Sequence, residues 1–241
     1  MLHGKSVAVV VPAYREELLI ARVLKRLPAW IDMIVVVDDA SPDDTFEVAS
    51  QCAKQDARVH VIRRAYNHGV GSAIMRGYQH AMYHGVDVMA VMAGDDQMDP
   101  DELEGVCAPV ARELAGYAKG NRLTHPDARR MPRLRRAGTH FLGRLTGIIA
   151  GVPGLDDAQC GYTAISKEAL ASIKLEHVYP RYGYPNDLIL RLAKAGVTIT
   201  QPMVKPIYAD EVSGLKIHKV IGPISGILLR GCIRRFTPIT L

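Results

Sequence analysis

Four short runs of β-branched and other apolar residues, at positions 7–11, 33–37, 59–62 and 86–92, punctuate the first hundred residues. Runs of this length predict strands, and their near-continuous apolar character predicts burial on both faces. Between them, positions 16–27, 42–54 and 71–83 carry apolar residues at helical spacing. Ser41, followed by Asp43 and Asp44, reads as the capped start of the second helix. Strand and helix in alternation predict an α/β fold: a Rossmann-like, mostly parallel sheet flanked by helices.

The pattern changes after residue 120. From 122 to 154 the chain is basic and broken by Gly and Pro, with helical spacing over 133–150. A strand over 161–165, a helix over 186–195 and strand-like residues over 197–207 follow. The tail, 217–236, interleaves apolar residues with Lys and Arg, and Pro223 is expected to limit its continuity as a helix. No linker-like composition and no repeat separates these parts. The 241 residues are therefore expected to form one domain, with halves at 1–120 and 121–210 and a loop and basic helix over 211–241.

Composition narrows the function. The net charge is +5 and the pI about 9.0, with the excess in two blocks. Arg129, Arg130, Arg133, Arg135 and Arg136 form one block, and Lys216, Lys219, Arg230, Arg234 and Arg235 the other. Such blocks suit phosphates, anionic lipid heads or nucleic acid, and serve equally as a solvated face. Aromatic residues are only 6% of the chain, too few for a base-stacking platform, so no nucleic-acid partner is expected. Cys52, Cys107, Cys160 and Cys232 lack metal-ligand spacing and read as free thiols of a reducing compartment, which places the chain in the cytoplasm. The apolar run at 7–11 leads into Tyr14, Arg15, Glu16 and Glu17 without a cleavage site, as a strand does and an export signal does not. No stretch approaches the roughly 18 apolar residues of a spanning helix, so a soluble or peripheral protein is expected.

In a parallel sheet, ligands collect at the carboxyl ends of the strands. Here those ends read Pro12, Ala13, Tyr14, Arg15, Glu16; then Asp38, Asp39, Ser41; then Asn67, His68, Gly69, Gly71; then Gly94, Asp95, Asp96, Gln97, Asp99. Any single Asp among them suits a helix cap as well, and Asp99 before Pro100 suits it best. Three polar or acidic ends converging on one edge point instead to a ligand. Asp95 and Gln97 offer hard oxygen donors suited to Mg²⁺ or Mn²⁺ shared with a diphosphate, where the ion would neutralise a leaving group. Gly69 and Gly71 form a GxG, but Ile74 stands where a dinucleotide fingerprint needs its third glycine. Neither GxxxxGK[ST] nor GxSxG occurs, which removes the P-loop and nucleophile-elbow chemistries.

The segments VVVPAYREE, VVVDDASPDDT, NHGVGSAIMRGYQHA, AGDDQMDPDEL, KGNRL, DAQCGYTAISKEAL and PNDLILRLAKAGVTI, spread over roughly residues 5–210, stand in the order found in family 2 glycosyltransferases of the GT-A fold. Within that family the chain most resembles the polyprenyl-phosphate sugar synthases. The resemblance implies a nucleoside pocket lined by Pro12, Tyr14 and Glu16, with Asp39 accepting a hydrogen bond from the base and Asp38 supporting it. Ala13, Gly69, Gly71 and Gly94, on the same strand ends, complete the expected donor-binding set. Asp95 would hold the metal with Gln97. Arg122, with one or more of Arg133, Arg135 and Arg136, would bind the diphosphate or an acceptor phosphate. Residues 210–215 would close over the donor. The first acidic position of the family's metal loop is Ala93 here, and Asp96 fills a position usually hydrophobic, so weaker donor or metal affinity is expected.

For a hydroxyl acceptor, Asp187, paired with Asn186 at a helix start, is the candidate general base, and Asp157 is the second candidate. The same pair reads equally as an N-cap. A lipid phosphate, already anionic, needs no strong base. The expected activity is inverting transfer from a UDP- or GDP-sugar to a phosphate or hydroxyl acceptor, with polyprenyl phosphate or another lipid-linked molecule among the candidates. The basic helix over 217–236 reads as a contact with the cytoplasmic membrane face, or as a core or homo-oligomer helix. Two other functions compete. A sugar-nucleotide pyrophosphorylase shares the fold, but its Gly-rich first loop is replaced here by PAYRE. A non-catalytic nucleotide-sugar sensor or scaffold is suggested by Ala93.

Overall fold

A computed structural model of the chain describes residues 1–207 and 217–236. Strands β1 (Val7–Ala13), β2 (Met33–Asp38), β3 (Val59–Arg63) and β4 (Val88–Val91) alternate with helices α1 (Ile20–Arg26), α2 (Thr45–Gln55) and α3 (Val70–Tyr83). Next come α4 (Leu103–Ala111), β5 (Tyr117–Lys119), α5 (Arg133–Ala150), β6 (Thr163–Ser166), α6 (Lys167–Ala171), α7 (Tyr184–Lys194), β7 (Ile199–Thr200) and α8 (Ile217–Phe236). Among the described residues the strands form one seven-stranded sheet in the order β3-β2-β1-β4-β6-β5-β7. β1 pairs in parallel with β2 and β4, and β2 with β3. β6 runs antiparallel to both β4 and β5, so both halves of the chain contribute to one sheet.

β1, β2 and β4 are buried almost throughout, as continuous apolar runs require. Alternation survives in where the side chains point. Val7, Val9 and Val11 pack with Ile20, Val23 and Leu24 of α1 and with Leu103 and Val106 of α4. Ala8 and Val10 face the opposite core, built from Ala73, Ile74 and Tyr78 of α3 and Leu188, Ile189 and Leu192 of α7. α5 and α8 pack outside α7 and against each other.

The differences from the sequence expectation have local causes. α2 begins at Thr45, and its first turn is closed by Asp43, whose Oδ1 accepts from Thr45 N and Oγ1. Ser41 instead turns towards the end of β1, where its Oγ accepts from Arg15 N at 3.2 Å. Of residues 197–207 only Ile199 and Thr200 form a strand, and Met203 makes an isolated bridge to Asn121. Pro202 and Pro206 lack the N–H that a longer ladder needs. β5 escapes the hydrophobic pattern because it is three residues long and includes a buried lysine, Lys119. α8 continues through Pro223, which is exposed.

α3 approaches the sheet closely at Gly77, where a Cβ would lie 2.3 Å from Val10 Cγ1. Val10 is itself fully buried and has nowhere to move. Gly77→Ala is therefore expected to destabilise by ~1–3 kcal/mol through overpacking, although alanine gains about 1 kcal/mol in an unhindered helix. Urea unfolding measures the sign directly, and a variant as stable as the parent would contradict this packing.

Candidate active site

The strand order reverses between β1 and β4, and this switch point opens a crevice at their carboxyl ends. The loops that follow the two strands meet there. A Cβ on Gly94 would stand 3.4 Å from Glu16 Cγ and 3.6 Å from Pro12 O, ordinary contact distances that place the acidic loop against the first one. Tyr14 is 42% exposed, with the Arg15 guanidinium 5.5 Å from its ring centre. Arg15, Ala40 and Asp96 each adopt a left-handed backbone, at φ of 62°, 61° and 57°. One such residue thus follows each of β1, β2 and β4, and strain of this kind collects where a loop is shaped for function.

Within the acidic loop the carboxylates diverge. Asp96 is turned onto α1, paired with Arg22 at 2.8 Å and Arg26 at 2.9 Å. Asp99 accepts from Asp101 N and caps the short 3₁₀ turn Pro100–Glu102, as its place before proline predicts. Asp95 accepts from Gln97 N at 3.1 Å and faces a pocket that Gln97, Arg122, Arg135, Tyr162 and Lys205 also line. Ala93 sits at the root of this loop, its N–H directed to Met98 Sδ.

At the end of β2, Asp38 is wholly buried. Its Oδ1 accepts from Ser41 N, while Oδ2 accepts no hydrogen bond and lies 3.9 Å from Arg63 Nε. Asp39 joins three segments: its N–H donates to Ala13 O, and its carboxylate accepts from His68 N at 3.1 Å and Gly69 N at 2.7 Å, with Arg64 at 3.3 Å. Ala40, Ser41, Arg63 and Arg64 line a second depression beside it. Gly69 and Gly71 lie against protein. A Cβ on Gly69 would come within 2.6 Å of Arg181 Cγ, and one on Gly71 within 2.6 Å of Tyr179 O and Tyr184 Cβ. Ser72 N donates to Pro180 O at 2.9 Å, so the first turn of α3 is docked on the segment leading into α7.

The second half of the chain supplies the basic wall. Arg122 donates to Asp157 through its backbone N at 3.2 Å, Nε at 2.7 Å and Nη2 at 3.0 Å. Asp157 is fully buried. Burial alone would raise its pKa, but the charge and hydrogen bonds of Arg122, helped by Lys119, hold it below the ordinary carboxylate value. Lys119, also buried, donates to Cys160 O, and desolvation pushes its pKa down to about 8. Gln159 hydrogen-bonds Asn186, whose Nδ2 donates to Thr146 Oγ1 on α5 at 2.7 Å. The loop beneath the pocket is thereby tied to α5 and α7. Asn186 and Asp187 do not cap α7, because the helix begins two residues earlier at Tyr184, after Gly183. Asp187 is buried and accepts from Tyr179 N at 2.8 Å and Arg191 Nε at 2.9 Å.

Of the candidate arginines, Arg122 and Arg135 line the pocket with Asp95, whereas Arg136 is exposed on α5 and outside that lining. Residues 210–215 lie outside the described residues. Sequence reasoning passed over Lys119, Tyr162 and Lys205. Tyr162 donates to Asp99 O at 2.8 Å, and Lys205 N donates to both oxygens of Glu102, so both pin the acidic loop and its following helix from the opposite side. The alternation CGYTAIS carried a signal for Tyr162, since it places a polar aromatic just before β6; Lys205 had none.

Comparison with known proteins agrees with this geometry. The family model for glycosyl transferase family 2 matches residues 8–173. The UDP-N-acetylglucosamine--dolichyl-phosphate N-acetylglucosaminyltransferase of Methanococcus voltae is 27% identical, over 92% of this chain and 93% of its own. The polyprenol monophosphomannose synthase of Mycolicibacterium smegmatis is 28% identical, over 94% and 88%. Glucosyl-3-phosphoglycerate synthase from Mycobacterium tuberculosis, solved with Mn²⁺, UDP-glucose and phosphoglyceric acid, superposes with a TM-score of 0.73 at 20% identity, over 98% of this chain and 82% of that one. That likeness extends the GT-A fold expected from the sequence across nearly the whole chain. With the family model spanning both the strand-end loops and the Arg122–Asp157 wall, the chain belongs to glycosyltransferase family 2.

Proposed function

We propose that this enzyme transfers a sugar from a UDP- or GDP-sugar, with inversion, onto the phosphate of a membrane lipid such as polyprenyl phosphate. The observation that carries the reading is the pocket in which Asp95 and Gln97 face Arg122 and Arg135. A carboxylate, an amide oxygen and two guanidinium groups around one pocket suit a metal-bound diphosphate. The donor set fits Mg²⁺ or Mn²⁺, with Asp95 and Gln97 as the residues that would hold it. The ion, when bound, supplies charge neutralisation for the leaving diphosphate. The Mn²⁺ and UDP-glucose of the Mycobacterium tuberculosis synthase support this assignment.

On this reading Pro12, Ala13, Tyr14 and Glu16 border the nucleoside, and Asp38 and Asp39 brace the β2 end beside it. Gly94 borders the donor where the two loops meet, whereas Gly69 and Gly71 act by letting the Tyr179–Tyr184 segment close in. Arg122 and Arg135 hold the anionic oxygens. An acceptor phosphate oxygen attacks the anomeric carbon, the bond from that carbon to the β-phosphate oxygen breaks, and the nucleoside diphosphate leaves with the electron pair. The attacking oxygen is already ionised, so no proton has to move. This agrees with Asp157 and Asp187, both occupied by arginine and backbone donors, which we assign positioning roles. Rate enhancement then comes from orientation and fixed charge.

A lipid acceptor also accounts for the outer helices. Leu134, Phe141 and Ile148 recur every seven residues along α5 and are 85%, 69% and 71% exposed. Leu229 and Ile233 are exposed one turn apart on α8, which packs against α5. Arg133, Arg136 and Arg230 are exposed on the same two helices. Apolar side chains among exposed arginines suit an anionic lipid surface. No described helix is long and apolar enough to cross a membrane, so contact would be from one side. The relatives named for dolichyl-phosphate and polyprenol substrates support the choice of acceptor.

Asp95→Ala is expected to lower acceptor-dependent release of nucleoside diphosphate by about 10²–10³-fold with the melting temperature unchanged. Near-parental turnover would overturn the site. Leu134→Ser with Phe141→Ser is expected to reduce cosedimentation with anionic vesicles by at least ~10-fold, since each such side chain contributes about 1.5–3 kcal/mol when buried. Slow donor hydrolysis without lipid should be untouched by this pair. Equal vesicle binding by parent and variant would remove α5 from the membrane contact.

A further inference from the structure

Away from the crevice, His60 on β3 and His80 and His84 at the end of α3 bring three imidazoles together. α3 runs antiparallel to β3, so this cluster lies at the opposite end of the β3–α3 unit from the His68–Gly69 loop that holds Asp39. One potential ligand atom from each histidine lies within 4.8 Å of the others. His80 Nε2 stands 3.3 Å from His60 Nδ1. Nitrogens bound to a tetrahedral zinc at about 2.0–2.1 Å are separated by roughly 3.3–3.4 Å, so this pair already has the spacing of two ligands on one ion.

The third ring is fixed by a backbone carbonyl. His84 Nδ1 lies 2.8 Å from His80 O. A carbonyl only accepts, so Nδ1 carries the proton and the lone pair is on Nε2. A ring N–H held by a backbone carbonyl is the usual support of a metal-bound histidine. His80 and His84 are four apart, on one face at the end of α3, and the helix is packed against the sheet, so the pair is held before any ion arrives. His60 and His80 are half-buried and His84 is exposed, which leaves a side open to solvent.

We propose that His60, His80 and His84 form a second metal site, for one imidazole-preferring divalent ion of the zinc class, with water completing its coordination. Nitrogen ligands separate it chemically from the oxygen donors of Asp95 and Gln97. The ion would clip the edge strand β3 to the end of α3 and so stiffen the unit whose loop holds Asp39. The site does not depend on the glycosyltransferase reading of the crevice.

Titration of the full-length chain with Zn²⁺, in excess Mg²⁺ to occupy oxygen sites, tests it by calorimetry and thermal shift. One ion per chain is expected, with a raised melting temperature, and Co²⁺ in place of Zn²⁺ should give the visible absorption of a four-coordinate nitrogen site. His84→Gln, at an exposed position, should keep the apo melting temperature and lose at least ~10-fold in Zn²⁺ affinity. His60→Gln should do the same from the strand side. Zn²⁺ affinity unchanged in both variants, or no Zn²⁺-dependent shift in the parent, would overturn the proposal.

Discussion

The ion pair between half-buried Arg122 and fully buried Asp157 is the constraint on which the site depends. Taking the Asp157 carboxylate out of water costs several kcal/mol before compensation. Here the carboxylate recovers three hydrogen bonds from Arg122 and one from Gln159 N. The pairing places a guanidinium across from Asp95 and fixes the loop on which Gln159 reaches Asn186 and, through it, Thr146. A neutral pair could fill the same volume, but it would not present a positive group to an anionic ligand. The ion pair makes sense as a device for holding charge ready in a fixed place.

That wall would be useless without the switch point opposite it. Parallel pairing of β1 with β2 and β4 sends their loops to one edge, and two of those loops touch at Gly94. The antiparallel strand β6 then carries the chain back alongside β4, bringing the segment around Asp157 to the same edge. The Asp39 carboxylate and the glycines at 69 and 71 connect this edge to the α7 side, because the β3–α3 loop is held by the one and docked through the others. The strand-end loops and the segment leading into α7 are thus coupled through backbone contacts.

Much of this was legible in the sequence, and the exceptions are physical. The four parallel strands and α3 and α5 could be read because their hydrophobic periods are long and uninterrupted, whereas Pro223 masked the continuity of α8. β5 and β7 could not, since two or three residues carry no period and Lys119 disguises the first. The strand-end acids were found from topology alone, yet their hydrogen-bond partners come from distant segments that no local pattern reveals. Gly69 and Gly71 resembled part of a phosphate loop, whereas their neighbours are Arg181, Tyr179 and Tyr184. Arg135 and Arg136 are adjacent in a basic block, and only the helical rotation of α5 separates the one that lines the pocket.

The central claim is that the acidic loop and the arginine wall together carry out sugar transfer to a lipid phosphate. It is tested most directly by identifying the product made by the unaltered chain from UDP- and GDP-sugars with polyprenyl phosphate and Mn²⁺. Mass spectrometry and NMR should find a glycosyl phospholipid with inverted anomeric configuration, formed in equal amount to the nucleoside diphosphate released. Donor binding with no glycosylated lipid from any of these donors, or a product of retained configuration, would contradict the account.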